Sequence, residues 1–85
     1  MKNIYWNQDK NLQLRQLRNI TFEDLISSRF IGIEKHPTKA HQKLMLFEYK
    51  DYVWVVPYVK GDDYFFLKTA FASRKHTKKY LGGVS

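Results

Sequence analysis

Between Gln8 and Arg18 the apolar positions Leu12, Leu14 and Leu17 recur near helical spacing, with lysine and arginine between them. Asn7 stands just before this stretch, where its side-chain oxygen can accept from the first unpaired amides of a helix. Arg15 and Arg18 fall in the last turn, where cations suit the helix dipole. A second, shorter helix is predicted from Thr21, with Asp24 at the capping-box position and Ile20 and Leu25 spaced as a hydrophobic staple. Ser27, Ser28 and Gly32 end it. The connection Asn19-Ile20 is so short that the two helices are expected to form a tight hairpin.

From Arg29 onward the period changes from helix to strand. Ile4 to Trp6 is a short β-prone start, and Arg29 to Glu34 alternates as a strand. His36-Pro37-Thr38-Lys39-Ala40-His41 is a loop, because Pro37 disfavours the helical region for the residue before it. Lys43 to Tyr49 and Tyr52 to Tyr58 are strands joined across Lys50-Asp51, a hairpin-length gap. Pro57 lies near a strand end, where a lost ladder donor costs least. Val59 to Asp63 turns the chain into a last strand, Tyr64 to Phe71. Period-two parity then gives two apolar faces. Met45, Phe47, Trp54, Val56, Phe65, Leu67 and Phe71 share one. Leu44, Leu46, Val53, Val55, Tyr64 and Phe66 share the other, interrupted by Lys68. One helical pair cannot cover both faces, so the second needs the C-terminal segment, another copy of the chain or a partner. Ser73 can N-cap a final helix, Arg74 to Leu81, stopped by Gly82-Gly83. The fold expected is α+β: an N-terminal helical hairpin on a three- to four-stranded antiparallel sheet, with a short basic C-terminal helix, in a single domain spanning 1–85.

Composition narrows the chemistry. A chain of 85 residues buries roughly 60–65% of its unfolded surface, so it depends on its aromatic residues for a core. It has no cysteine, which removes disulfides, thiolate zinc sites and cysteine nucleophiles. No apolar run reaches the ~18 residues of a membrane span, and Met1 to Trp6 lacks the apolar core of a signal peptide. A soluble cytoplasmic protein without cofactor, metal or membrane partner is the expectation. The net charge is +7, and no acid occurs after Asp63. Clustered charge of this kind suits a polyanion or an acidic protein partner. The basic first turn of the last helix opposes its dipole, so it either presents cations to an anion or frays as a solvated tail. Lys68 on its apolar face is either a binding residue or a lysine snorkelling at a strand end. Tyr52, Trp54 and Tyr58 read as core in preference to a base-stacking platform.

Trp6-Asn7-x-Asp9-Lys10-Asn11 followed by Ile20-Thr21-Phe22-Glu23-Asp24 resembles the opening of the BrnT family of toxin proteins. His36-Pro37, the strand Tyr52 to Tyr58, and Phe66-Leu67-Lys68-Thr69 through Ser73-Arg74-Lys75 and Lys78-Lys79-Tyr80-Leu81 are similar to a branch of small BrnT-like toxins with a Lys-Thr…Ser-Arg-Lys…Lys-Tyr-Leu ending. The resemblance implies a fold like that of the RelE ribonuclease toxins. It implies RNA cleavage as the activity and neutralisation by a cognate antitoxin. An oligomer with that antitoxin would meet operator DNA through it. The family's usual strand arginine has no counterpart in Lys68 to Ser73, where Lys68 and Arg74 are the nearest cations.

Metal-free RNA cleavage requires a base for the 2′-hydroxyl, an acid for the leaving 5′-oxygen and cations for the charged phosphorane. Lys68, Arg74, Lys75, His36 and Tyr80 are the candidate catalytic residues. Lys43, His76, Lys78 and Lys79 are the candidate RNA-binding residues. His36 and His41 are five apart in a loop without a third ligand, which is poor zinc geometry. The competing reading is a non-catalytic basic module that grips RNA or an acidic partner through the same cations.

Overall fold

The computed structural model describes residues 3–82. β1 (Asn3–Trp6) leads into α1 (Gln8–Arg18) and α2 (Phe22–Ile26). β2 (Arg29–Lys35), β3 (Gln42–Tyr49), β4 (Tyr52–Lys60), β5 (Tyr64–Leu67) and β6 (Phe71–Ala72) follow, and α3 (Arg74–Leu81) comes last. The sheet runs β1-β5-β4-β3-β2, with β6 also paired to β4. Its six strands exceed the three or four expected, and β1 lies parallel to β5 in an otherwise antiparallel sheet. That pairing joins Asn3 to Tyr64 and Trp6 to Leu67, a long-range contact that no local pattern announces.

The caps form as the side chains dictate. Asn7 accepts from the Lys10 amide at 3.1 Å, and Asn19 closes α1 in the left-handed region at φ 54°. Thr21 and Asp24 complete a reciprocal capping box. Asn11 ties the two helices together: its Oδ1 accepts from the Phe22 amide at 2.8 Å and its Nδ2 donates to Glu23 at 2.7 Å. The expected hairpin of two helices is corrected in its second member, which is only five residues long. α1 meets the core chiefly through Leu14, while Leu12 and Leu17 face solvent. The short α2 and the residue before its cap bury more than α1 does, through Ile20, Phe22 and Leu25.

Both sheet faces are covered. Leu14, Ile20, Phe22 and Leu25 pack on Met45, Phe47, Val56, Tyr58 and Leu67. On the opposite face Leu44, Leu46, Val53 and Val55 are covered by Leu81 of α3 and by Ile31. The C-terminal helix is therefore the cover that the second apolar face demanded. Thr77 pins it: its buried hydroxyl accepts from the Val53 amide at 2.9 Å and donates to the Ser73 carbonyl at 2.7 Å.

The expected strand Tyr64 to Phe71 is broken. Leu67 pairs with Tyr58 and Phe71 with Val55, so the β5–β6 side holds one residue more than β4 over the same span. A single extra residue is a bulge, and it inverts the alternation beyond it. Phe71 accordingly shares the face of Val55, not that of Leu67 as uninterrupted parity predicts.

Replacing Asn11 with Ala leaves the buried Phe22 amide without its acceptor. A loss of about 1–3 kcal/mol is expected, against a few tenths for the exposed Gln13→Ala. Urea unfolding of the two variants checks this.

Candidate functional site

α3 begins at Ser73, whose hydroxyl oxygen accepts from the His76 amide at 3.1 Å and lies 2.6 Å from His76 Nδ1. Helical spacing puts residues three and four apart on one face, so His76, Lys79 and Tyr80 point the same way. They point at Glu34. This residue sits on β2 opposite Leu44, on the sheet face that α3 covers. His76 Nε2 lies 3.1 Å from Glu34 Oε1, Lys79 Nζ donates to Oε2 at 2.9 Å, and the Tyr80 hydroxyl donates to the same oxygen. The rings of His76 and Tyr80 are stacked, with centroids 6.4 Å apart and planes 7° apart.

These donors hold the Glu34 carboxyl at about 2, well below its ordinary value. The Tyr80 hydrogen bond lowers it most and Lys79 next. Burial opposes them, and His76 adds a smaller pull downward. The hydrogen bond to Glu34 pushes the Tyr80 hydroxyl and the Lys79 ammonium up. One carboxylate thus organises an imidazole, an ammonium and a phenol at the junction of β2 and α3.

The remaining sequence candidates fall into two groups. Arg74, Lys75 and Lys78 belong to the same helix and are exposed. His36, Lys43 and Lys68 lie elsewhere. His36 Nδ1 accepts from the Thr38 and Lys39 amides at 3.1 and 3.0 Å, shaping the β2–β3 loop. Lys43 alternates with Met45 along β3, which puts it on the helix-pair face, away from Glu34. Lys68 follows β5; its amide donates to the Pro57 carbonyl at 2.8 Å and its ammonium lies 5.6 Å from the Phe66 ring centroid. Lys68 borders a cavity with Phe66 and with Asn7, Asp9, Lys10 and Gln13 at the start of α1, and none of the residues around Glu34 lines it.

Glu34 and Ser73 were not among the sequence candidates. A signal for Glu34 existed: a helix of cations in a segment without acids needs a carboxylate from another element. Only eight acids occur in the chain. Among the described residues no three His, Asp or Glu side chains come together in a metal-holding group. None of the described helices is long and apolar enough to cross a membrane.

No family model matches this sequence, and no curated protein matches it. Among solved structures, the fold matches the 1.1 Å crystal structure of the Brucella abortus ribonuclease toxin BrnT. The TM-score is 0.57 at 16% identity, over 86% of this chain and 97% of that one. The fold is BrnT-like. At this identity the likeness is one of architecture: a mixed α+β chain with one multistranded sheet and three helices. Chemistry does not transfer with architecture, so the Glu34 cluster has to be judged on its own geometry.

A folded carboxyl held near 2 contributes stability that is complete above its ordinary value and fades as the pH falls toward 2. Wild type should therefore exceed Glu34→Gln in stability at neutral pH, and the gap should close between about pH 4.5 and 2. Urea titrations across that range measure it; a gap independent of pH contradicts the assignment.

Proposed function

We propose that this BrnT-like protein is a toxin that cleaves RNA without a metal ion and is neutralised by a cognate antitoxin protein, through which it reaches operator DNA. One observation carries the reading. His76, Lys79 and Tyr80 converge on Glu34 beside the exposed Arg74, Lys75 and Lys78, on a fold similar to that of a ribonuclease toxin.

In the proposed reaction a 2′-hydroxyl loses its proton and its oxygen bonds to the adjacent phosphorus. The bond from phosphorus to the 5′-oxygen breaks as that oxygen takes a proton, leaving a 2′,3′-cyclic phosphate and a 5′-hydroxyl. An imidazole can carry protons in both directions; with Nε2 held by Glu34, His76 serves as the proton carrier through Nδ1 once the RNA displaces Ser73 from it. Glu34, held near 2, is too weak a base for the 2′-hydroxyl. Its part is to orient His76 through Nε2. Lys79 and Tyr80 already bind one anion, the Glu34 carboxylate, and an incoming phosphate offers them oxygens of the same kind. Arg74 and Lys75 are placed to hold the flanking phosphates, Arg74 in bidentate fashion. Lys68, beside the start of α1, would meet the RNA backbone only beyond this cluster.

The second reading, a binding module without catalysis, draws on the fact that Glu34 already satisfies the donors of the inner face of α3. Incubation of the purified protein with total RNA, with and without EDTA, separates the two. The toxin reading expects cleavage in both, and His76→Ala should lower it by about 10²-fold or more. Expression should arrest growth, and the double variant Arg74→Ala with Lys75→Ala should relieve the arrest without loss of fold. Binding without products favours the module. Its affinity should then fall with salt at a log–log slope of roughly −0.7 for each phosphate neutralised.

A further inference from the structure

A separate cavity of about 320 Å³ opens on the helix-pair side, where α1 ends and β3 turns into β4. Tyr49, Tyr52 and Trp54 line it, together with Arg18, Lys50 and Ala72. Of the aromatic residues expected as core on β4, Tyr58 is buried, but Tyr52 and Trp54 are only half-buried. Tyr49 and Trp54 rest against the core on one side and border the cavity on the other. Among the described residues two cations line the space and no acid does. The Lys50 ammonium lies 5.3 Å from the Tyr49 ring centroid.

We infer that this cavity is a subsite for one nucleotide of single-stranded RNA, its base stacked on the exposed side of Trp54 and Tyr52 and its phosphate met by Arg18 and Lys50. The inference rests on the RNA reading above and extends it to the sheet face that the Glu34 cluster does not reach. The chemistry selects the occupant. Aromatic surface beside two cations fits a ligand that is both planar and anionic, and every base presents a π-face whatever its sequence. An aliphatic helix or strand would leave both charges unused. The aromatic residues are held on strands and a tight turn, so little ordering is needed when a base arrives. Continuity adds a second argument. Ala72 lines the cavity and Ser73, Arg74 and Lys75 follow it directly. An RNA strand seated in the cavity thus leaves across β6 toward the exposed cations of α3.

The test uses the full chain, isotope-labelled and titrated with a short 2′-O-methyl RNA that cannot be cut. The indole N–H signal of Trp54 is expected to shift while that of Trp6 stays. Tyr52→Ala and Arg18→Ala should each weaken binding by about tenfold. The subsite is overturned if Trp54 does not move while α3 amides do, or if both variants bind as tightly as wild type. It is equally overturned if polyglutamate moves the Trp54 signal at lower concentration than the RNA. Because the probe cannot be cleaved, a failed cleavage assay with an intact Trp54 shift removes the nuclease reading and leaves the subsite standing.

Discussion

β4 is a strand with no polar side. Val53, Val55, Val56 and Tyr58 are buried along it, and it bonds to β3, β5 and β6. A strand buried on both faces needs two covers, and the chain has little material to supply them. α1 and α2 cover one face from the N-terminal side of the sequence. The other is left to α3, eight residues that carry one arginine, three lysines and a histidine. Covering an apolar face with so basic a helix is awkward, since the helix has few apolar residues to bury. The structure resolves it with polar attachments at both ends of the contact. Thr77 bonds to the backbone of β4, and Glu34 gathers three side chains of α3.

That solution explains why the candidate site lies where it does. A carboxylate that anchors a basic helix gives its neighbours defined positions, and defined positions are what acid–base chemistry requires. The cations on the outer side of the helix are not needed for anchoring, so they are available to an anion. The roles divide along the helix: Thr77 and the donors to Glu34 hold α3, and the exposed Arg74, Lys75 and Lys78 offer charge.

Much of the architecture was legible from local signals. The cap at Asn7, the capping box at Thr21 and Asp24, the hairpin at Lys50-Asp51 and the span of α3 each follow from residues adjacent in sequence. So did the need for a second cover, because parity put apolar residues on both faces. What escaped was non-local. The β1–β5 pairing joins residues some sixty positions apart. The salt link from Glu34 to His76 and Lys79 crosses more than forty. The bulge after Leu67 was hidden for a different reason: Lys68-Thr69-Ala70 carries no glycine or other mark that distinguishes an inserted residue from a continuing strand. Trp54 packs against the core as its strand suggests; what composition does not show is that Trp54 and Tyr52 each keep one side open.

The bulge between β5 and β6 has a consequence for how such a molecule can change over evolutionary time. Upstream of it, the pairing register is fixed by Leu67 against Tyr58. Downstream, Phe71, Ala72 and the start of α3 take their orientation from the residue count of the intervening segment. A one-residue insertion or deletion there would turn the C-terminal portion over while leaving the strands before it in place. The segment works as a coupling whose length sets the aim of the terminal helix, so different relatives could present different residues to a substrate from an unchanged sheet.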